Sequence, residues 1–209
     1  DDVTISYEFD QSTYVINAVK SLLAEGIIGA LLTGLMVLLF LRDRRSALIV
    51  VLTIPISLIS SVLFLKLFGQ TINIMTLSGL ALAVGILVDE STVTIENIHR
   101  HLEMGKKKAT AIWDACKEIA FPKLLIMLSV LAAFFPALTM SGIPGALFKP
   151  LALAISFAMI TSFLLSQTLV PVLSNWLIKE PSGKVAHKEN TFDRYRDKFV
   201  HFIGKLIPK

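Results

Sequence analysis

The chain is a succession of long apolar runs separated by tight clusters of charge, and that pattern leaves few folds open to it. The hydrocarbon core of a bilayer takes about 17 residues of helix or more. Five runs meet that length, at about 22–41, 47–68, 72–98, 124–140 and 151–178. A segment that crosses lipid must bond its own backbone, which for runs of this length means an α-helix. Only 17% of the residues are charged, where soluble domains carry about 25%. The expected fold class is therefore an all-α polytopic membrane protein, with lipid as the partner of its outer apolar faces. Gly26, Gly29 and Gly34 are the expected close-packing points of the first helix, and Pro55 an expected kink in the second.

The charged segments supply the rest of the organisation. Residues 3–9 alternate, with Val3, Ile5, Tyr7 and Phe9 on one face and Thr4, Ser6 and Glu8 on the other, so they read as a half-buried strand. No partner strand follows, and no basic region and apolar stretch of a signal peptide opens the chain. Residues 1–14 are thus expected to end an extramembrane domain that begins upstream. Residues 103–120 place Ala109, Ile112, Trp113, Cys116, Ile119 and Ala120 at helical spacing opposite Lys106, Lys107, Lys108, Asp114 and Lys117. This is the pattern of an amphipathic helix lying at a membrane interface. A second such helix is expected at 191–207, after a polar linker, within the closing segment 179–209. Residues 141–149 read as a Gly/Pro loop.

Of the 20 lysines and arginines, all but Lys20, Lys66 and Lys149 fall in or beside the segments 42–45, 99–123 and 179–209. Lysine and arginine concentrate in cytoplasmic loops. Those segments are expected in the cytoplasm, the C-terminus with them, and the N-terminal strand outside. The net charge of +4 is thereby accounted for by topology, and no nucleic-acid partner is inferred. The single cysteine, Cys116, allows no disulfide within the chain. The four histidines are too scattered for a metal site. No nucleophile or phosphate-binding loop points to an enzyme, and no cofactor is implied.

One apolar run breaks the rule against buried charge. In the third, Asp89 and Glu90 stand side by side, and Asp89 is nine residues from the end of the run at Ile98. That distance is ~13 Å of helix at 1.5 Å per residue, near the middle of a core ~30 Å thick. A carboxylate there costs roughly 2.5–3.5 kcal/mol on insertion scales, and such residues usually handle ions or protons. Gly85, one turn before Asp89, leaves room for a neighbouring helix or water. Two polar ladders lead away. Asp89, Thr92 and Glu96 follow i, i+3, i+7; Glu90, Thr94 and Asn97 follow i, i+4, i+7. Together they read as a wet path from mid-membrane towards the cytoplasm, with His99 and His101 at its mouth as solvated interface residues. Lys66 and Lys149 lie near the outer ends of their spans, so the cation such a pair needs is expected from outside this chain.

The stretch Gly79–His99, GLALAVGILVDESTVTIENIH, resembles the fourth membrane helix of resistance-nodulation-division (RND) efflux transporters: a glycine-rich apolar run, adjacent acids after a valine, then Glu-Asn. Leu39–Leu58 is similar to the connection between their second and third helices, and Leu165–Asn175 to the end of the sixth. The resemblance implies that the five spans are helices two to six of the first half of a permease. It implies Asp89 and Glu90 as a proton relay that drives export of small molecules. It further implies a lysine of the second half as their partner, a homotrimer in the bacterial inner membrane, and a periplasmic adaptor and outer-membrane channel as associates. Glu90 stands where many members have Asp, which makes Asp89 the principal candidate. A lipid- or sterol-sensing module, or an accessory of protein export from the same superfamily, is the alternative.

Overall fold

The computed structural model describes residues 12–41 and 43–178. They form five helices: α1 (Ser12–Leu41), α2 (Arg44–Leu67), α3 (Ile74–Glu103), α4 (Lys108–Thr139) and α5 (Gly142–Leu177). Each is long and apolar enough to cross a membrane. No strand occurs among the described residues. The strand expected at 3–9 and the amphipathic helix expected at 191–207 lie outside them.

Short connections force consecutive helices to run antiparallel, and each start has a local cause. Asp43, extended in its backbone, caps α2 by accepting from the amides of Arg45 and Ser46. Asn73 caps α3 in the same way, and the Thr76 hydroxyl closes the box by accepting from the Asn73 amide. Gly69 and Gly105 take positive φ just beyond the ends of α2 and α3, where glycine pays no Cβ penalty. The Arg45 guanidinium donates to the Leu177 carbonyl at 2.6 Å. It thereby ties the start of α2 to an orphan acceptor in the last turn of α5.

Two helices differ from the sequence expectation. Residues 103–120 do not form a helix of their own: α3 runs to Glu103, and α4 begins at Lys108 and continues unbroken through Pro122. A proline in a helix removes one hydrogen bond, and α4 continues through Pro122 without that bond. The buried face of its first part is Ala111, Ile112 and Ala115, while Trp113 stays 72% exposed, so the packed stripe is turned from the one the spacing suggested. Residues 142–149, expected as a loop, are the first turns of α5.

Helix α3 lies at the centre and touches all four others. Its closest approach is to α5. A Cβ on Gly79 would sit 2.7 Å from the Leu151 carbonyl oxygen and 2.9 Å from the Ala154 Cβ, so only glycine lets these backbones meet. Gly34 makes room between α1 and α2 for a side chain, since a Cβ there would fall 2.7 Å from Val51 Cγ2; Gly26 and Gly29 have ordinary room. A core cluster of Ile95, Ile98, Ala111 and Val170 joins α3, α4 and α5 at the end that carries Arg44, Arg45 and the 104–107 turn, hereafter the basic end. A second cluster, with Leu80, Ala83 and Leu87 against Ala154 and Ala158, holds α3 to α5 further along.

A buried ion pair at the centre of the bundle

The two acids that share one run of sequence do not share one environment. Successive residues on a helix point about 100° apart. On α3 that rotation is enough to put Glu90 inside, 5% exposed, and Asp89 outside. Asp89 belongs to a bare stripe of α3 with Leu82, Gly85, Val93 and Glu96, all exposed. Among the described residues it has no ion-pair partner. A Cβ on Gly85 would meet nothing within 4 Å, so the room expected beside Asp89 is present and opens outward.

Glu90 is paired within the chain. Lys123 on α4, 4% exposed, places its Nζ 2.8 Å from Glu90 Oε2. It also donates to Thr94 Oγ1 at 2.7 Å and to the Glu90 backbone carbonyl. Thr94 Oγ1 in turn donates to that same carbonyl at 3.0 Å. From α5, the Ser166 hydroxyl lies 3.4 Å from Glu90 Oε2 and 2.9 Å from its own Phe163 carbonyl. One proton serves two acceptors there, and the shorter bond goes to the carbonyl. On the α2 side Thr53 Oγ1 lies 2.8 Å from Ser91 Oγ, both buried.

Lys123 corrects the expectation that this chain holds no cation at the depth of the acids. The sequence reading counted it with the basic residues ahead of the fourth span. Helical arithmetic places it otherwise. Glu90 stands 13 residues before the last residue of α3 and Lys123 stands 15 after the first of α4. At 1.5 Å per residue both lie ~20 Å from the turn that joins the helices. Antiparallel helices with a short turn bring such positions level.

The two ladders also separate. Glu90, Thr94 and Asn97 are buried, whereas Asp89 and Glu96 are exposed and Thr92 is half-buried. Thr92 Oγ1 bonds back to the Val88 carbonyl. The inner ladder continues to the basic end: Asn97 Nδ2 donates to the Ala115 carbonyl at 2.9 Å and lies 3.4 Å from Glu118 Oε2. Glu118 receives Arg100 Nη2 at 2.5 Å and His101 Nε2 at 2.7 Å, and Lys106 bridges His101 Nδ1 and Asp114. His99 is occupied as well. The Ser46 hydroxyl donates to Asp43 Oδ2, so His99 Nε2, 2.6 Å from Ser46 Oγ, is the donor to it. Both histidines, expected in solvent, are knitted into the bundle.

Among the described residues no group of three histidine, cysteine, aspartate or glutamate side chains is placed to hold a metal ion. The arrangement holds and balances charge inside a lipid-compatible bundle.

Comparison with known proteins agrees with the motif of α3. The profile of the AcrB/AcrD/AcrF family matches residues 1–207. Multidrug resistance protein MdtC of Escherichia coli O139:H28 (strain E24377A / ETEC) is 35% identical over 181 residues, 87% of this chain and 18% of that protein. MdtC of Citrobacter koseri (strain ATCC BAA-895 / CDC 4225-83 / SGSC4696) is 37% identical over 168 residues, 80% of this chain and 16% of that protein. MdtC of Shigella sonnei (strain Ss046) is 35% identical over 181 residues. The chain spans less than a fifth of the length of these relatives.

Proposed function

Because the chain belongs to the AcrB/AcrD/AcrF family of RND transporters, we propose that it is part of the membrane domain of a proton-driven multidrug efflux permease, with Asp89 and Glu90 as its proton relay. The observation that carries this reading is a pair of carboxylates midway along an apolar helix, one ion-paired inside the bundle and the other on a bare face. Charge is rarely kept at such depth except to handle ions or protons.

In this reading Asp89 takes a proton from the periplasmic side, with Glu90 sharing it. Its neutralisation weakens its hold on a cation of the other half of the transporter, the helices shift, and the proton leaves towards the cytoplasm. The polar side chains Thr92, Thr94, Glu96 and Asn97 support water along that way, and Gly85 lets a neighbouring helix approach. A membrane potential adds ~2.3 kcal/mol per charge per 100 mV, so repeated protons drive uphill export. The permease would sit in the bacterial inner membrane as a homotrimer with a periplasmic adaptor and an outer-membrane channel. Its exported molecules would be drugs, as the name multidrug resistance protein MdtC indicates for the relatives.

The test is Asp89→Asn in the full-length protein. It abolishes export in an efflux-deficient strain while membrane insertion and melting in detergent stay as in wild type. Full export by that variant would remove the relay from the account.

A further inference from the structure

At the basic end α4 and α5 stand apart. Further along, Met127 packs them together with Ile155 and Met159; between their basic ends lies a hollow of about 620 Å³. That is within the size range of ligand pockets. Ala109, Trp113, Cys116 and Ala120, all members of the apolar stripe read from the sequence, line its α4 wall, with Lys117 among them. Small side chains of this kind let helix backbones meet in a membrane, and here they border open space instead.

The hollow holds polar groups with no partner in the bundle. Gln167 Nε2, on the α5 wall, is buried and has no hydrogen-bond partner among the described residues. The Gln167 carbonyl lies four residues before Pro171, which has no N–H to give it. Lys117 makes no ion pair among the described residues, because the acids near it are taken: Asp114 by Lys106, and Glu118 by Arg100 and His101. A buried donor left unpaired is costly, so a ligand that accepts from Gln167 is favoured there.

Depth along the helices selects the ligand. Helices α4 and α5 have 32 and 36 residues, ~48 and ~54 Å at 1.5 Å per residue. The hydrocarbon core is ~30 Å thick, so with the surplus shared between the two ends ~9 and ~12 Å of helix project at the basic end. Lys117 is nine residues from the start of α4 and Gln167 ten from the end of α5, ~14 and ~15 Å along them. Both therefore stand just inside the boundary of the core. The acyl esters of a glycerophospholipid lie at that level, and its phosphate lies further out, where a lysine reaches by extending its stem. Trp113 and Trp176, 72% and 76% exposed, flank the hollow nearer the helix ends, at the headgroup level that tryptophan favours.

We propose that this hollow is a binding site for one anionic glycerophospholipid of the leaflet at the basic end. An ester carbonyl accepts from Gln167 Nε2, the phosphate faces Lys117, and the headgroup sits between Trp113 and Trp176 beside Asn175. The acyl chains leave past Ala120 into the bilayer. Lys117 is the charged residue in the lining, and its sign favours an anionic lipid over a zwitterionic one. The site is separate from the relay on α3 and does not depend on it.

The experiment uses the full-length protein, purified in detergent and stripped of lipid. N-Ethylmaleimide is added, and alkylation of Cys116 is followed by peptide mass spectrometry. Cys116 lines the hollow and is half-buried, so an occupant shields it. Dioleoylphosphatidylglycerol slows the reaction about fivefold more than dioleoylphosphatidylcholine does, the size of one lysine's attraction to an anionic surface. Lys117→Gln brings the two lipids to within about twofold of each other, and Lys117→Arg keeps the difference. Gln167→Leu lowers the protection given by both lipids, by about threefold. Lys107→Gln removes a charge from the same end but outside the lining, and behaves as wild type.

Equal protection by the two lipids in wild type would overturn the proposal, as would a difference that survives Lys117→Gln. A difference lost as fully in Lys107→Gln overturns it too, because the attraction is then diffuse. So does a Cys116 that stays unreactive in the stripped protein, since another part of the full-length protein then covers the hollow. If Lys117→Gln does not fold, Gln167→Leu decides, and undiminished protection there counts against the site. Export is not the readout, so failure here leaves the proton relay untouched.

Discussion

The inner and outer ladders of α3 start one residue apart and each opens with a carboxylate followed by a threonine, yet only one of them is complete. The inner ladder of Glu90, Thr94 and Asn97 has partners on α4 for each of its polar groups: Lys123 for the first two, the Ala115 carbonyl for the third. The outer ladder of Asp89 and Glu96 faces outward beside Gly85. The contrast teaches that depth along a helix and rotation about it are separate pieces of information. Asp89 and Glu90 have the same depth; 100° of rotation decides which is locked and which is available.

Replacing Glu90 by Ala should break the contrast most severely. It strands the Lys123 charge in the bundle, and removing one partner of a buried pair costs about 3–5 kcal/mol. The check is unfolding of the purified full-length protein in detergent, where Asp89→Asn serves as the outer-ladder control and changes stability by less than about 1 kcal/mol. If the two variants melt alike, the inner and outer ladders are not different in kind. Thr94→Val comes next. It keeps shape but takes one acceptor from Lys123 and a donor from the Glu90 carbonyl, for a loss of about 1–2 kcal/mol. The smallest effect belongs to Arg100→Gln at the basic end. Its bond to Glu118 is short, at 2.5 Å, but both side chains are about half exposed, and such pairs contribute little and are screened by salt. In ~0.5 M salt its melting curve should overlay that of wild type; a clear difference there would mean that the basic end is held as tightly as the centre.

Much of this is legible in the sequence. Length and hydropathy give the five helices, and acids in an apolar run single out Asp89 and Glu90. What escaped was Lys123. It follows Pro122, and a proline after a basic amphipathic stretch reads as a fresh start, which places the lysine at the interface. The signal that could have found it was the distance from the turn at 104–107, equal on the two sides for Glu90 and Lys123. Rotation was harder to read. Spacing placed Trp113 on the apolar face of its helix, and packing exposed it, because an apolar surface in a membrane protein has lipid as well as protein to turn to. The histidines were misjudged for a related reason: His99 and His101 meet Ser46 and Glu118, residues far away in sequence that only the tertiary arrangement brings near.

Pro122 stands immediately before Lys123 within an unbroken α4. Having no N–H, it cannot bond the carbonyl four residues back, on Glu118. The rod is therefore one hydrogen bond short next to its buried ammonium, as it is again at Pro136, and the Glu118 side chain is clasped to α3 at the basic end. Any swing of the first turns of α4 has its fulcrum beside the central charge. A movement of several ångströms at the far end of that lever arm would reach the Lys123–Glu90 contact as a small change of separation, at the point in the molecule where a small change in separation alters the electrostatic energy most.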